Sequence, residues 1–241
     1  MLRFFLHRFS KRSLAPLTGL LIAAAASPAL AQGRVPDTLG ERVQACVICH
    51  GEQGKATSDG YFPRIAGKPA GYLYNQLLNF RDGRRTYPLM TYMLAHLSDE
   101  YLMEMAEYFA SLHPPYPAPQ SPAVSAAVLD HGRLLVQEGD AKRDVPACIA
   151  CHGANLAGVA PALPGLLGLP RDYINSQFGA WQQGRRHAAA PDCMAQITSR
   201  LDMHDIGAIS SWLAAQPVPP GLTPAAPATL RLPIPCGGVP Q

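Results

Sequence analysis

Apolar residues fall into helical spacing in several stretches of this chain, and nowhere into the strict alternation of a half-buried strand. In 124–137 the residues Val124, Val128 and Leu135 share one helical face. A shorter counterpart occupies 38–44. Two middle helices are expected over about 70–82 and 171–183, each ending at a glycine, as helices often do. Ser98 is a good N-cap, with Asp99 and Glu100 in the positively polarised first turn, and its helix runs to about residue 112. Asp202 caps a helix running to about residue 215. No segment sustains period two, so the fold class is all-α.

The elements occur twice in the same order because the sequence does. The stretch "PRIAGKPAGYLYNQLLNFRDGRR" (63–85) runs parallel to "PGLLGLPRDYINSQFGAWQQGRR" (164–186) at an offset of 101. Pro63/Pro164, Gly67/Gly168, Pro69/Pro170, Tyr72/Tyr173, Gln76/Gln177 and Gly83/Gly184 coincide, as do Arg84 and Arg85 with Arg185 and Arg186. Phe80 is answered by Trp181. This is a duplicated domain. Between the copies, "HPPYPAPQSP" (113–122) is a stiff, extended spacer. The expected organisation is a first domain over 32–113, a linker over 114–122, a second domain over 123–217 and a Pro/Ala-rich tail over 218–241. Domains this small have thin cores.

Residues 1–31 read as an export signal. Arg3, Arg8, Lys11 and Arg12 precede an apolar run at 14–26, and "PALAQ" supplies a small-x-small cleavage pattern at Ala29 and Ala31. The run is short of the roughly 20 residues that span a bilayer. Membrane association is expected only if the signal stays uncleaved. The segment holds four of the 20 basic residues and no acid, so the remainder carries 16 against 17 and a net charge of −1. No polybasic stretch survives to bind nucleic acid.

Six cysteines lie in this exported chain. "CVICH" (46–50) and "CIACH" (148–152) are each C-x-x-C-H, the pattern of covalent c-type haem attachment. Cysteines at i and i+3 on a helical turn face the same way. Cys46 and Cys49, and likewise Cys148 and Cys151, can therefore form thioethers with the two vinyl groups of one porphyrin. His50 and His152 then lie beneath the iron and can donate a neutral imidazole nitrogen. Two haem c groups are expected, one per domain, each porphyrin adding apolar mass to a thin core.

A closed electron-transfer site needs a second axial ligand. Copy one offers Met90 and Met93, and copy two offers Cys193 and Met194. The caps of the last helices give a common ruler: Met90 lies eight residues before Ser98, and Met194 eight before Asp202. Met93 then matches Ile197 and is assigned to the core. Cys193 matches Leu89. His96, His187 and His204 are rival ligands without a partner in the other copy, which favours surface or hydrogen-bonding roles. With four cysteines committed to thioethers, Cys193 and Cys236 remain, and an oxidising compartment favours their pairing. That bond would pin the tail across the Met194 loop. The recurring tyrosines and arginines are candidates for holding haem propionates, for the domain interface, or for nothing beyond a solvated helix end.

The two C-x-x-C-H motifs, the "PRIAG…YL..QL..FRDGRR" stretch and "M..M…LSDE" resemble the dihaem cytochrome c4 family, over about residues 40–113 and 124–216. The pattern is loosest at "GRRHAAAPDCM". The resemblance implies tandem class I cytochrome c domains in the periplasm, His/Met ligation with Met90 and Met194 at the matching positions, and electron shuttling without substrate turnover. Partners would be redox proteins: a terminal oxidase, a quinol-oxidising complex or a periplasmic dehydrogenase. Two alternatives stay open. One is a dihaem enzyme of thiosulfate dehydrogenase type with a Cys-ligated haem, for which Cys193 would be the ligand. The other is a haem subunit fixed to a periplasmic dehydrogenase.

Overall fold

The structure, a computed structural model, describes residues 37–227 and 231–239. The expected signal at 1–31 lies outside the described residues.

The first half begins with α1 (Leu39–Arg42), capped by the Thr38 hydroxyl, which accepts from the Glu41 amide. It turns at the buried Val43 into α2 (Gln44–His50). Next comes α3 (Ala70–Arg81), entered through Pro69, whose fixed φ suits a helix start. The short α4 (Pro88–Leu94) and α5 (Asp99–Ser111) complete the half. Ser98 caps α5 as expected, its hydroxyl accepting from the Tyr101 amide. Leu73, Phe80, Leu102 and Phe109 are the centre of its apolar cluster.

The second half repeats the order with α6 (Ala126–Gln137), α7 (Ile149–His152), α8 (Arg171–Gln182), α9 (Cys193–Thr198) and α10 (Met203–Ala214). Between α7 and α8 a two-residue antiparallel pair joins β1 (Gly158–Val159) to β2 (Leu163–Pro164). That small ladder apart, the fold is all-α. Helices α6 and α10 cross closely at Gly132, where a Cβ would overlap the Ala208 carbonyl, so only glycine permits the approach. Leu135, Ile174, Ile206, Ile209 and Leu213 fill the core around that crossing.

The middle and last helices stand within one residue of their expected ends. The helix expected from 124 starts at Ala126 because the Ser125 hydroxyl caps it. Helices α4 and α9 were not expected. Each is about two turns or less, too short for periodicity to register.

The halves meet across an approximate dyad made by the recurring residues. The Thr86 amide donates to the Arg185 carbonyl at 2.8 Å, and the His187 amide to the Arg84 carbonyl at 2.7 Å. Arg85 donates to Gln177 and Tyr173 of the other half, and Arg186 to Gln76 and Tyr72. Each guanidinium also stacks on its own half's aromatic ring, Arg85 on Phe80 and Arg186 on Trp181. Of the roles open to the recurring residues, the structure shows the interface for the Arg85, Arg186, Tyr72 and Tyr173 side chains, while those of Arg84 and Arg185 stay at their own helix ends, on Asn79 and Asp82 and on Gln183. The proline-rich segment is extended and tied down: the buried Arg64 donates to the Pro114 and Pro115 carbonyls and lies over the Tyr116 ring.

Candidate haem sites

Each C-x-x-C-H closes a helix. His50 is the last residue of α2 and His152 the last of α7, followed by Gly51 and Gly153 at φ of 75° and 84°. Those left-handed glycines turn the chain back, so that a proline-bearing loop passes each histidine. His50 Nδ1 lies 2.8 Å from the Pro63 carbonyl, and His152 Nδ1 lies 2.7 Å from the Pro164 carbonyl. A carbonyl only accepts, so each Nδ1 carries the proton and each Nε2 is left as a bare lone pair. Burial pushes both imidazoles below their usual pKa, and the positive charges of Arg85 and Lys68 act in the same direction on His50 and His152 respectively. Both rings are thus neutral, oriented and ready to ligate. The recurrence of Pro63 and Pro164 was visible in the repeat, although their role was not read from it.

Burial also pushes the Cys46 and Cys151 thiols up, and that of Cys148 to about 12. These cysteines are not poised as thiolate nucleophiles. All four open onto one cavity of about 680 Å³ that runs through both halves. Its lining includes both cysteine pairs, both histidines, Met90 and Met194, so the structure brings all eight expected residues to a common space. Met90 is the third residue of α4 and Met194 the second of α9. Both stand eight residues before an N-cap that the structure confirms, Ser98 or Asp202. Met93 also lines the cavity, one turn beyond Met90.

The walls suit a porphyrin. Leu73, Phe109, Ile174 and Leu213 give an apolar surface for the ring. Arg64, Lys68 and Arg186 are buried cations that also face the cavity, and none pairs with a carboxylate among the described residues. The buried Trp181 Nε1 likewise finds no acceptor there. Buried cations and an orphaned donor in an apolar cavity call for an anionic, otherwise apolar guest, which is what a porphyrin with two acid groups offers.

Cys193 and Cys236 are joined as a disulfide, with 5.0 Å between their Cα atoms. The bond fixes the tail over the Met194 loop, where the Gly237 amide donates to the Pro191 carbonyl. Leu232 and Ile234 of the tail enter the cavity wall. The tail also reaches the first half, with Asn75 Nδ2 donating to the Gly238 carbonyl at 2.7 Å. Among the rival ligands, His187 Nε2 turns to the Gly184 carbonyl. His204 is exposed, with its ring 5.0 Å from that of His131, and His96 is exposed as well.

A duplicated all-α fold with one C-x-x-C-H and one spaced methionine per half is that of a two-centre c-type cytochrome. Comparison with known proteins narrows the class. No protein-family model matches the chain. It is 36% identical to a thiosulfate dehydrogenase electron acceptor of Thiomonas intermedia over 73% of this chain and 80% of that protein. It is 33% identical to cytochrome c4 of Pseudomonas aeruginosa over 71% of this chain and 84% of that protein. The crystal structure of reduced cytochrome c4 from Pseudomonas stutzeri superposes with a TM-score of 0.63 at 29% identity, covering 73% of this chain and 95% of that one. A thiosulfate dehydrogenase (TsdBA) from Marichromatium purpuratum gives 0.66 at 33% identity, over 75% of this chain but only 39% of that one. The chain belongs to the dihaem cytochrome c4 family. It is a c-type cytochrome that carries electrons.

Proposed function

We propose that this protein is a periplasmic carrier with two covalently bound haem c groups, each held between a histidine and a methionine. It passes electrons between proteins and turns over no substrate. The observation that carries this reading is the matched pair of sites: in each half a carbonyl-anchored, neutral histidine and a methionine eight residues before the last helix's cap face one cavity. Residues 32–113 and 123–217 are read as the two cytochrome domains, in accord with two separate apolar clusters.

Cys46 and Cys49, and Cys148 and Cys151, would each add a thiol across a vinyl group, the sulfur bonding one carbon and the proton passing to its neighbour. His50 and His152, through Nε2, together with Met90 and Met194, would hold the iron. The haem supplies a one-electron couple. The chain keeps ligand geometry fixed through the Pro63 and Pro164 carbonyls, and its apolar walls exclude water. Iron held by both a histidine and a methionine would have no position free for a substrate. Thioether sulfur opposite histidine also favours a high potential.

Export is supported by the signal-like pattern of 1–31 in the sequence. Among the described residues no helix is long and apolar enough to cross a membrane. The names of the relatives support a dehydrogenase as the electron donor, a thiosulfate dehydrogenase in particular.

The rival reading, a thiosulfate-oxidising enzyme with Cys193 on the iron, is disfavoured by the disulfide that occupies the Cys193 sulfur. Ferric absorption and EPR spectra of the wild type and of Cys193→Ser separate the two. A methionine-to-iron charge-transfer band from both centres, unchanged in the variant, is expected for the carrier. A thiolate-type low-spin signal that vanishes in the variant would establish the enzyme.

A further inference from the structure

Lys68 breaks the repeat. It lies in "AGKP" of the first half, and its counterpart at the offset of 101 is Leu169. Nearby, Arg64 answers to Gly165. Both cations are buried, at 6% and 3% exposure. Arg64 is accounted for by the carbonyls of Ala66, Pro114 and Pro115 and by the Tyr116 ring. Among the described residues Lys68 makes one hydrogen bond, and it crosses to the other half: Nζ donates to the Gly165 carbonyl at 2.8 Å.

Gly165 follows Pro164, whose carbonyl holds the Nδ1 proton of His152. The first half therefore places an ammonium group on the loop that orients the second half's histidine. The dyad arginines come as a pair, Arg85 in one half and Arg186 in the other, each bonded to both Gln76 and Gln177. Lys68 has no image. A buried charge is poorly screened by solvent and salt. Beside a redox centre, a positive charge disfavours the more positive oxidation state.

We propose that Lys68 of the first half is a positioning residue that tunes the second centre across the domain interface, its charge raising the reduction potential of the haem held by His152. This rests on the two-haem reading given above. The lysine thereby makes two copies of one site unequal, without any change in their axial ligands. Burial and the neighbouring Arg64 push the Lys68 pKa down to about 7, so the amine carries its charge below neutrality.

The test is a spectroelectrochemical titration of the holoprotein at about pH 6, a unit below that value. A Met194→His variant identifies the second centre's step, since its ligand change displaces that step alone. In Lys68→Met and Lys68→Gln the second step is expected at a lower potential than in the wild type, with the first step unmoved. Lys68→Arg, which keeps the charge, should stay close to the wild type. Glutamine keeps a donor for the Gly165 carbonyl but no charge, so a wild-type potential in Lys68→Gln would overturn the proposal. An unmoved second step in Lys68→Met, or two steps that shift together, would overturn it as well. Failure of the two-haem reading would show separately, as a wild-type protein that does not titrate in two one-electron steps.

Discussion

The two halves hold the same chemistry in unequal scaffolds. In the first, the helix ahead of the haem motif is the four-residue α1, and the only glycine in it, Gly40, meets nothing closer than the Tyr108 hydroxyl at 3.3 Å. In the second, α6 has 12 residues and presses its Gly132 against the backbone of α10. The first half leaves Ile48 and Tyr92 at 79% and 81% exposure around its motif and methionine helix. The second half folds a disulfide-bonded tail over its methionine loop. What duplication preserved is the spacing of the C-x-x-C-H motifs, of Met90 and Met194, and of the interface residues. Packing outside those positions diverged, so the halves should differ in stability far more than in coordination.

The severest way to break this comparison is to remove one attachment motif. Replacing Cys148 and Cys151 together by serine should halve the haem per chain, about a twofold fall in pyridine haemochrome absorbance. The same change at Cys46 and Cys49 should give the same result. Loss of both haems from either variant would show that one half cannot form without the other. The disulfide comes next. Replacing Cys193 and Cys236 together by serine should cost about 2–4 kcal/mol, the usual range for removing such a crosslink. Both tryptophans, Trp181 and Trp212, lie in the second half, so their fluorescence during denaturant unfolding reports that half alone. The charge-transfer band of the first centre should survive unchanged.

The candidate ligands were legible in the sequence because they obey rules of local spacing. C-x-x-C-H needs only one helical turn, and the methionine ruler needs only a cap, which Ser98 and Asp202 supply through their own side chains. The pairing of Cys193 with Cys236 followed from counting sulfurs. What stayed hidden depends on contacts distant along the chain. Gln76 and Gln177 recur in the repeat, yet only the fold shows each accepting from an arginine of both halves. Lys68 reaches a carbonyl 97 residues away. Helix α9 was missed because six residues with an Asp192 cap carry no period of their own.

Two smaller changes sharpen the contrast further. Gly132→Ala forces a Cβ into the Ala208 carbonyl, so α6 and α10 must separate, at a cost of about 1–3 kcal/mol. Gly40→Ala meets side-chain atoms alone, the nearest being the Tyr108 hydroxyl at 3.3 Å, and should change stability by less than about 1 kcal/mol. Equal losses from the two substitutions, read by thermal unfolding of the holoprotein, would contradict the unequal packing.

The last contrast is electrostatic and concerns the third residue of the final helix, Tyr101 in the first half and Asp205 in the second. Asp205 is buried, completes a capping box with Asp202, and accepts from Arg143 at 2.5 Å and His131 at 2.7 Å. Burial alone would raise its pKa. The hydrogen bonds from Arg143 and His131 outweigh that and hold it at about 2 against an ordinary 3.8. A folded-state value below the unfolded one stabilises above the unfolded pKa and is lost as pH falls through the folded one. The second half should therefore weaken by about 1–2 kcal/mol between pH 4 and pH 2 through this group. Asp205→Asn should remove that acid-dependent increment from the tryptophan-reported transition. It also leaves Arg143 short of a charge partner, so the variant should be less stable than the wild type at neutral pH and converge on it in acid. An acid profile that Asp205→Asn leaves unaltered would assign the sensitivity to other carboxylates.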